Sequence, residues 1–449
     1  MNEENQRGPL LSAKEPPSPA RRLNRFIPFF LAFMLILSLV PMFVYPDPTF
    51  YTWINSPTVK GYYGLFGAVV YIVFALIVWQ KNRAGIPLRY GLMFLWVLFF
   101  TIVVAFIHES QISYSDANGV VQSFALPSFD RLIYEAETLY DLFFCFAFLF
   151  LWSYSKKEPQ FKNVVLYLAV LLALASLIYA LIKGPDPAAS YLTYTSFFKS
   201  NEDLGKVLFA GTFSSAVLAF DHRDWRRYPF VLLGIGFLVM TGLLGLTITF
   251  WGLVMASFVV GIYVLLDRKA KSPLLRIGAL IYVLLIVVLV FLVAIPSSLA
   301  DTLRVYFGNE LAFLLKTRVK LWGNYLNSLS SWRIFIGDGP IGYYRVGVDE
   351  GSPLFTPLQN GILEVYNSGG LVYLMFYFLV VIVGLFRFKK SEEKNPTFFA
   401  IVLAFTCAFL LFTIISDERL FFSSRFLSFF VAYIFMCYPH NKDRLMDET

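Results

Sequence analysis

A chain of 449 residues that is 58% hydrophobic, 18% aromatic and only 15% charged cannot be a soluble globular protein, and its mean hydropathy of +0.65 places most of it in a bilayer. The formal charge of +7 is expected to reside in cytoplasmic loops beside anionic lipid, which removes any need for a nucleic-acid partner. Cys145, Cys407 and Cys437 fall within apolar runs and lack metal-ligand spacing, so they read as small packed side chains.

Residues 1–25 are polar and proline-containing, without the apolar stretch of a cleavable signal peptide, and are expected to form a cytoplasmic tail. Twelve apolar runs follow, centred on 26–45, 62–79, 91–107, 138–152, 164–182, 204–220, 230–246, 250–266, 277–295, 363–386, 398–415 and 421–438. Each is of about the length that crosses roughly 30 Å of hydrocarbon as a helix. The expected fold is therefore all-α: a polytopic integral membrane protein with about twelve transmembrane helices. Nine helices fill 26–295, a large extracytoplasmic loop spans 296–362, three helices fill 363–438, and 439–449 is a tail. The loops orient this arrangement. With the N-terminus in the cytoplasm, 24 of the 37 Lys and Arg residues lie inside, so both termini are expected there.

The segment 296–362 is too long and too aromatic for a plain connection. Val319, Trp322, Leu326 and Leu329 recur at 3-4-3 spacing, with Lys316, Lys320, Asn324 and Asn327 on another face. This pattern predicts an amphipathic helix along the outer membrane surface, closed by a turn containing Gly337, Gly339 and Gly342. The spelling G-x-G-x-x-G does not indicate a dinucleotide site, since no strand is expected before it. Arg304, Lys316, Arg318, Lys320, Arg333 and Arg345 are basic residues on the side where the positive-inside rule prefers none. They read either as surface charge balanced by Asp301, Glu310, Asp338, Asp349 and Glu350, or as an anion site.

Three stretches in this region stand in a fixed order: Arg318-Val319-Lys320-Leu321-Trp322, the glycine turn, and Gln359-Asn360-Gly361-Ile362-Leu363-Glu364 opening an apolar run. The series resembles the C-terminal signature of the bacterial O-antigen ligase and O-antigen polymerase superfamily, roughly R-x-x-L-W, a glycine-rich turn, and H-N-x-x-L-E. Upstream, residues 197–205, which include Asn201, resemble the family's short segment leading into a central helix. Two letters depart from the pattern. Gln359 stands where the family carries a histidine held to be catalytic, and Thr247-Ile248-Thr249-Phe250-Trp251-Gly252 lacks the arginine of the family's T-x-S-R-G.

The resemblance implies a metal-independent, cofactor-free membrane glycosyltransferase of the lipid-pyrophosphate-sugar type in the bacterial inner membrane. Its donor would be an undecaprenyl-pyrophosphate-linked oligosaccharide and its acceptor a saccharide, with membrane lipids, a chain-length regulator and a flippase as companions. Arg318, Arg304, Arg345, Lys206 and Arg425 are the candidates to hold the donor pyrophosphate. Asn360, Trp322 and Asn201 are the candidates to hold acceptor sugar. Bidentate arginines suit a departing pyrophosphate. Lys206 equally suits a plain ion pair with Asp203.

Glutamine does not titrate and cannot take the acceptor's proton. Catalytic candidates are therefore Gln359 as an orienting group and Glu364, Asp349 or Glu350 as the base, with His108 as a further alternative. Glu364 also reads as an acid favoured by the start of a helix. Within the family, the lost histidine favours a polymerase of lipopolysaccharide or other surface-polysaccharide repeat units over a ligase. A lipid-linked oligosaccharide flippase or other transporter, and a non-catalytic scaffold, are the readings from other classes.

Overall fold

The computed structural model describes residues 19–43, 57–82, 88–108, 111–115, 121–125, 163–185, 194–198, 200–222, 224–266, 277, 280–281, 283–288, 309–329, 332–339, 360–392 and 396–415. These residues are predominantly helical. In chain order the helices are α1 (Pro19–Leu39), α2 (Pro57–Asn82), α3 (Leu88–Ile107), α4 (Val164–Lys183), α5 (Asn201–Asp221), α6 (Tyr228–Leu243) and α7 (Thr247–Leu266). They continue as α8 (Asn309–Ser328), the short α9 (Arg333–Ile336), α10 (Gly361–Glu392) and α11 (Pro396–Ile415). Val164–Lys183, Asn201–Asp221 and Trp225–Leu243 are long and apolar enough to cross a membrane. A lone apolar segment does so as a helix because only a helix satisfies its own backbone in hydrocarbon.

One element departs from the all-α expectation. Within the anticipated loop 108–137, β1 (Gln111–Ser115) pairs antiparallel with β2 (Val121–Ala125), setting Ile112 opposite Phe124 and Ser113 opposite Ser123. Ile112 and Tyr114 alternate with polar neighbours along β1, which suits the period of a strand. The apolar runs expected at 138–152 and 421–438 lie outside the described residues, as do Cys145 and Cys437.

The interior is organised around α5. Almost every side chain from Asp203 to Leu218 is buried, and the helix is rich in small residues that let neighbours approach. A Cβ added at Gly211 would strike Ala173 of α4 and the Phe237 ring of α6. One added at Gly205 would strike the Thr249 hydroxyl of α7. On another side Phe213 stacks on Phe405 of α11, with centroids 4.2 Å apart and planes at 10°. At the far end, His222 Nδ1 donates to Leu218 O at 3.0 Å, which leaves Nε2 to accept from Tyr167 Oη at 2.9 Å. Asn163 Nδ2 donates to Asp221 Oδ2 at 2.8 Å beside it.

The outward faces carry large apolar side chains, among them Phe99, Phe106, Ile182 and Leu232. Trp225 just before α6 and Tyr228 at its first position stand exposed, the place that amphipathic aromatic rings favour at a membrane interface. Unlike a water-soluble bundle, this one is apolar on its outward faces as well as in its core.

Two glycines break α10. Gly370 takes φ +62° and ψ −155°, a conformation that side-chain-bearing residues rarely adopt, and the helix is two rods meeting at Gly369-Gly370. The break makes a notch, and the turn after α9 fills it.

Candidate functional site

The N-terminus of α5 brings together three of the segments that carry the sequence signature. Ser200 caps the helix, its Oγ accepting from Asp203 N at 3.1 Å, which satisfies one of the amides a helix start leaves open. Asn201 opens the helix, half-buried. Glu202 and Asp203 follow in the first turn, where the helix dipole favours acids. Gly205 admits Thr249 from the start of α7, so the segment that lacks the family's arginine packs on the segment that contains Asn201.

From α8, Arg318 reaches this same end. It is only 6% exposed, and its Nη2 lies 3.4 Å from Glu202 Oε1. Lys206, also buried, pairs with Asp203 at 3.6 Å, the plain ion pair that i,i+3 spacing allows. The two candidate donor cations among the described residues, Arg318 and Lys206, thus stand against carboxylates in the first turn of one helix.

Where the chain enters α5 there is an apolar hollow of about 470 Å³, lined in part by Leu39, Phe43, Leu172, Phe197 and Phe198. Phe43 bridges to Phe198 by backbone and stacks on its ring at 5.7 Å, which ties the end of α1 to the entry of α5.

The second half of the site is a knot between α8, α10 and the turn 337–339. Gly337 and Gly339 have φ of +81° and +71°. A Cβ on Gly337 would strike the carbonyl oxygens of Asn367 and Tyr366, and one on Gly370 would strike the backbone of Phe335 and Ile336. Backbone lies directly on backbone here, so glycine is required. Asn367 joins all three segments: its Oδ1 accepts from Tyr325 Oη at 2.8 Å, its Nδ2 donates to Gly339 O at 2.7 Å, and its carbonyl accepts from Asp338 N at 3.1 Å. Arg333 and Asp338, both buried, form an ion pair at 2.9 Å that closes the turn. His108, at the end of α3, covers Gly339 and places Nε2 3.2 Å from Ile336 O.

The sequence-derived site residues fare differently. Asn360 is the N-cap of α10, its Oδ1 accepting from Ile362 N at 3.0 Å and Leu363 N at 3.1 Å; that oxygen is engaged in capping rather than turned to a sugar. Glu364 lies one turn inside α10, buried, with its carbonyl accepting from Ser368 Oγ. Trp322 is half-buried on α8. Gln359, Asp349, Glu350, Arg304, Arg345 and Arg425 lie outside the described residues.

Of the expected apolar stripe of α8, Trp322 and Leu329 are half-buried. Arg318, Leu321 and Tyr325 face inward, whereas Val319 and Leu326 are exposed. Leu321 and Tyr325 pack with Tyr366 of α10, and Leu329, Leu363, Leu371 and Leu374 close around them.

Sequence reasoning passed over Glu202, Tyr325 and Asn367 as functional residues, and for Arg333 it left surface charge and an anion site open without reaching the ion pair with Asp338. The pair Gly369-Gly370 inside an apolar run was the available signal that a helix breaks there. Among the described residues no group of three His, Cys, Asp or Glu is placed to hold a metal ion. No family model, curated protein or solved structure matches this chain.

Proposed function

We propose that the chain is a twelve-helix inner-membrane glycosyltransferase, with both termini in the cytoplasm, that polymerises lipid-pyrophosphate-linked oligosaccharide repeat units on the outer face. Transfer of a finished chain to a lipid A-core acceptor by the same fold is the second reading. The observation that carries the proposal is Arg318 held at the α5 N-terminus beside Glu202, with Lys206 one turn on.

In the resting arrangement Glu202 stands in for an anion. Its side chain is 37% exposed whereas that of Arg318 is 7% exposed, so the carboxylate is the partner that an arriving pyrophosphate can displace. A diphosphate offers more acceptor oxygens and more charge than one carboxylate, which suits an arginine fork. The apolar hollow at the entry of α5 suits a prenyl tail leaving a charged headgroup.

The reaction follows from these parts. The acceptor hydroxyl oxygen attacks the donor's anomeric carbon, a new C–O bond forms, and the anomeric C–O bond to phosphate breaks. The lipid pyrophosphate leaves with that electron pair, and Arg318 stabilises its growing charge. The acceptor's proton passes to a carboxylate, with Gln359 orienting the hydroxyl by hydrogen bonds.

Removal of the protein from its cell tests the reading. Accumulated lipid-linked single repeat units support a polymerase, and accumulated lipid-linked long chains support a ligase. Purified protein that moves labelled lipid between leaflets without forming a glycosidic bond would instead be a flippase.

A further inference from the structure

We infer that Asn367 is a positioning residue that sets the register between the arginine-bearing helix α8 and the motif-bearing start of α10, a role that rests on the transfer reaction proposed above. The geometry is specific. Tyr325 follows Arg318 by seven residues and Asn367 follows Asn360 by seven, so the Tyr325–Asn367 hydrogen bond lies two turns, roughly 10 Å, along each helix from a candidate site residue. Asn367 is fully buried, and its amide accepts from one helix while donating to Gly339 O of the turn.

An amide is the side chain this junction needs. It must offer one acceptor and one donor in a single plane, to partners fixed by Tyr325 on one side and a backbone carbonyl on the other. A leucine of similar volume would leave both partners buried without this contact, which costs more than the bond contributes. Its place is equally telling. Asn367 is three residues before Gly370, where α10 breaks, so the lower rod cannot hold the upper rod in line by helical continuity. Side-chain bonds to α8 and to the turn fix the upper rod, which bears Asn360 and Glu364. A misplacement of about 1 Å between donor and acceptor elements can cost a transfer reaction roughly 10²-fold. The donor contacts themselves, Arg318 with Glu202, lie off this junction.

The test compares Tyr325→Phe, Asn367→Ala and the double variant with wild type, using a lipid-pyrophosphate-linked oligosaccharide and a saccharide acceptor. We expect kcat to fall about 10-fold for Tyr325→Phe and up to about 100-fold for Asn367→Ala, with the donor KM within about twofold of wild type. The double variant should be no slower than Asn367→Ala alone, because both changes break one junction. Should Asn367→Ala fail to fold, Tyr325→Phe, which loses a single hydroxyl, carries the test.

Nitroxide labels on Asn324→Cys, exposed on α8, and Ile362→Cys, half-buried on the upper rod of α10, report the spacing of these two elements without any activity. The distance distribution should broaden in each variant that stays folded. Wild-type kcat in a folded Tyr325→Phe protein, or a donor KM that worsens in step with kcat, overturns the inference. A wild-type protein that turns over no lipid-pyrophosphate saccharide overturns the proposed function instead. In that event an unchanged label distribution in Asn367→Ala overturns the register role as well, and a broadened one upholds it.

Discussion

Arg318 and Glu202 stand 116 residues apart in the chain, yet the guanidinium of one lies 3.4 Å from the carboxylate of the other at the mouth of the most buried helix. If Glu202 occupies the place of a donor phosphate, the two residues should respond oppositely to mutation. Arg318→Ala should lose about 2 to 3 kcal/mol of transition-state stabilisation, and Arg318→Lys should recover only part, since an ammonium cannot reproduce the fork. Glu202→Gln should keep kcat and lower the donor KM, because a competing anion is gone. Steady-state kinetics on the three variants decide it, and a donor KM raised by Glu202→Gln would make the pair purely structural.

The notch at Gly369-Gly370 makes a stability prediction independent of any activity. Gly337→Ala and Gly370→Ala each force a methyl onto neighbouring backbone at positive φ and should destabilise by at least about 1 to 3 kcal/mol. Gly323→Ala, in the interior of α8 with nothing within 4 Å of its added Cβ, should be neutral or stabilising by up to about 1 kcal/mol. Thermal unfolding of the three proteins in one detergent separates these outcomes.

Much of the helical layout was legible because apolar run length needs no tertiary information: the runs at 164–182 and 204–220 match α4 and α5 to within a few residues. The Asp203–Lys206 pair was legible for the same reason, being local on one helix. The inward face of α8 was not: spacing marked Val319 and Leu326 as a membrane-facing stripe, and both are exposed, but it gave no sign that Arg318, Leu321 and Tyr325 meet the protein. The capping role of Asn360 was not legible, because a motif letter does not say that its side chain also serves the helix start. The partners of Arg318 and Asn367 were beyond reach, since both arise from contacts between segments far apart in sequence.

The proposed topology places 296–362 outside. Cysteines introduced at Asn309, Ser330 and Gly351 should therefore react with a membrane-impermeant thiol reagent once any outer barrier is opened, and one at Ser391 should react only after lysis. Labelling at Ser391 with protection of the other three would invert the orientation and remove the external-donor reaction with it.

The altered motif letter makes the sharpest chemical prediction. Glutamine at 359 offers hydrogen bonds but no proton acceptor of useful basicity, so the proposed transfer reaction calls on a carboxylate among Glu364, Asp349 and Glu350 to collect the proton of the attacking hydroxyl. Gln359→Ala should then lower turnover only moderately, whereas the amide or alanine variant of the true base should cost about 10²- to 10⁴-fold. Glu364→Gln is the isosteric test at a buried position one turn into α10. Gln359→His should maintain or raise turnover near neutral pH, since an imidazole in that place supplies a base with a pKa close to the working pH. If the three carboxylate variants and Gln359→Ala all turn over at the wild-type rate, no base lies on this segment. The proton must then leave by His108, or through an oxocarbenium-like path in which bond breaking runs ahead of attack.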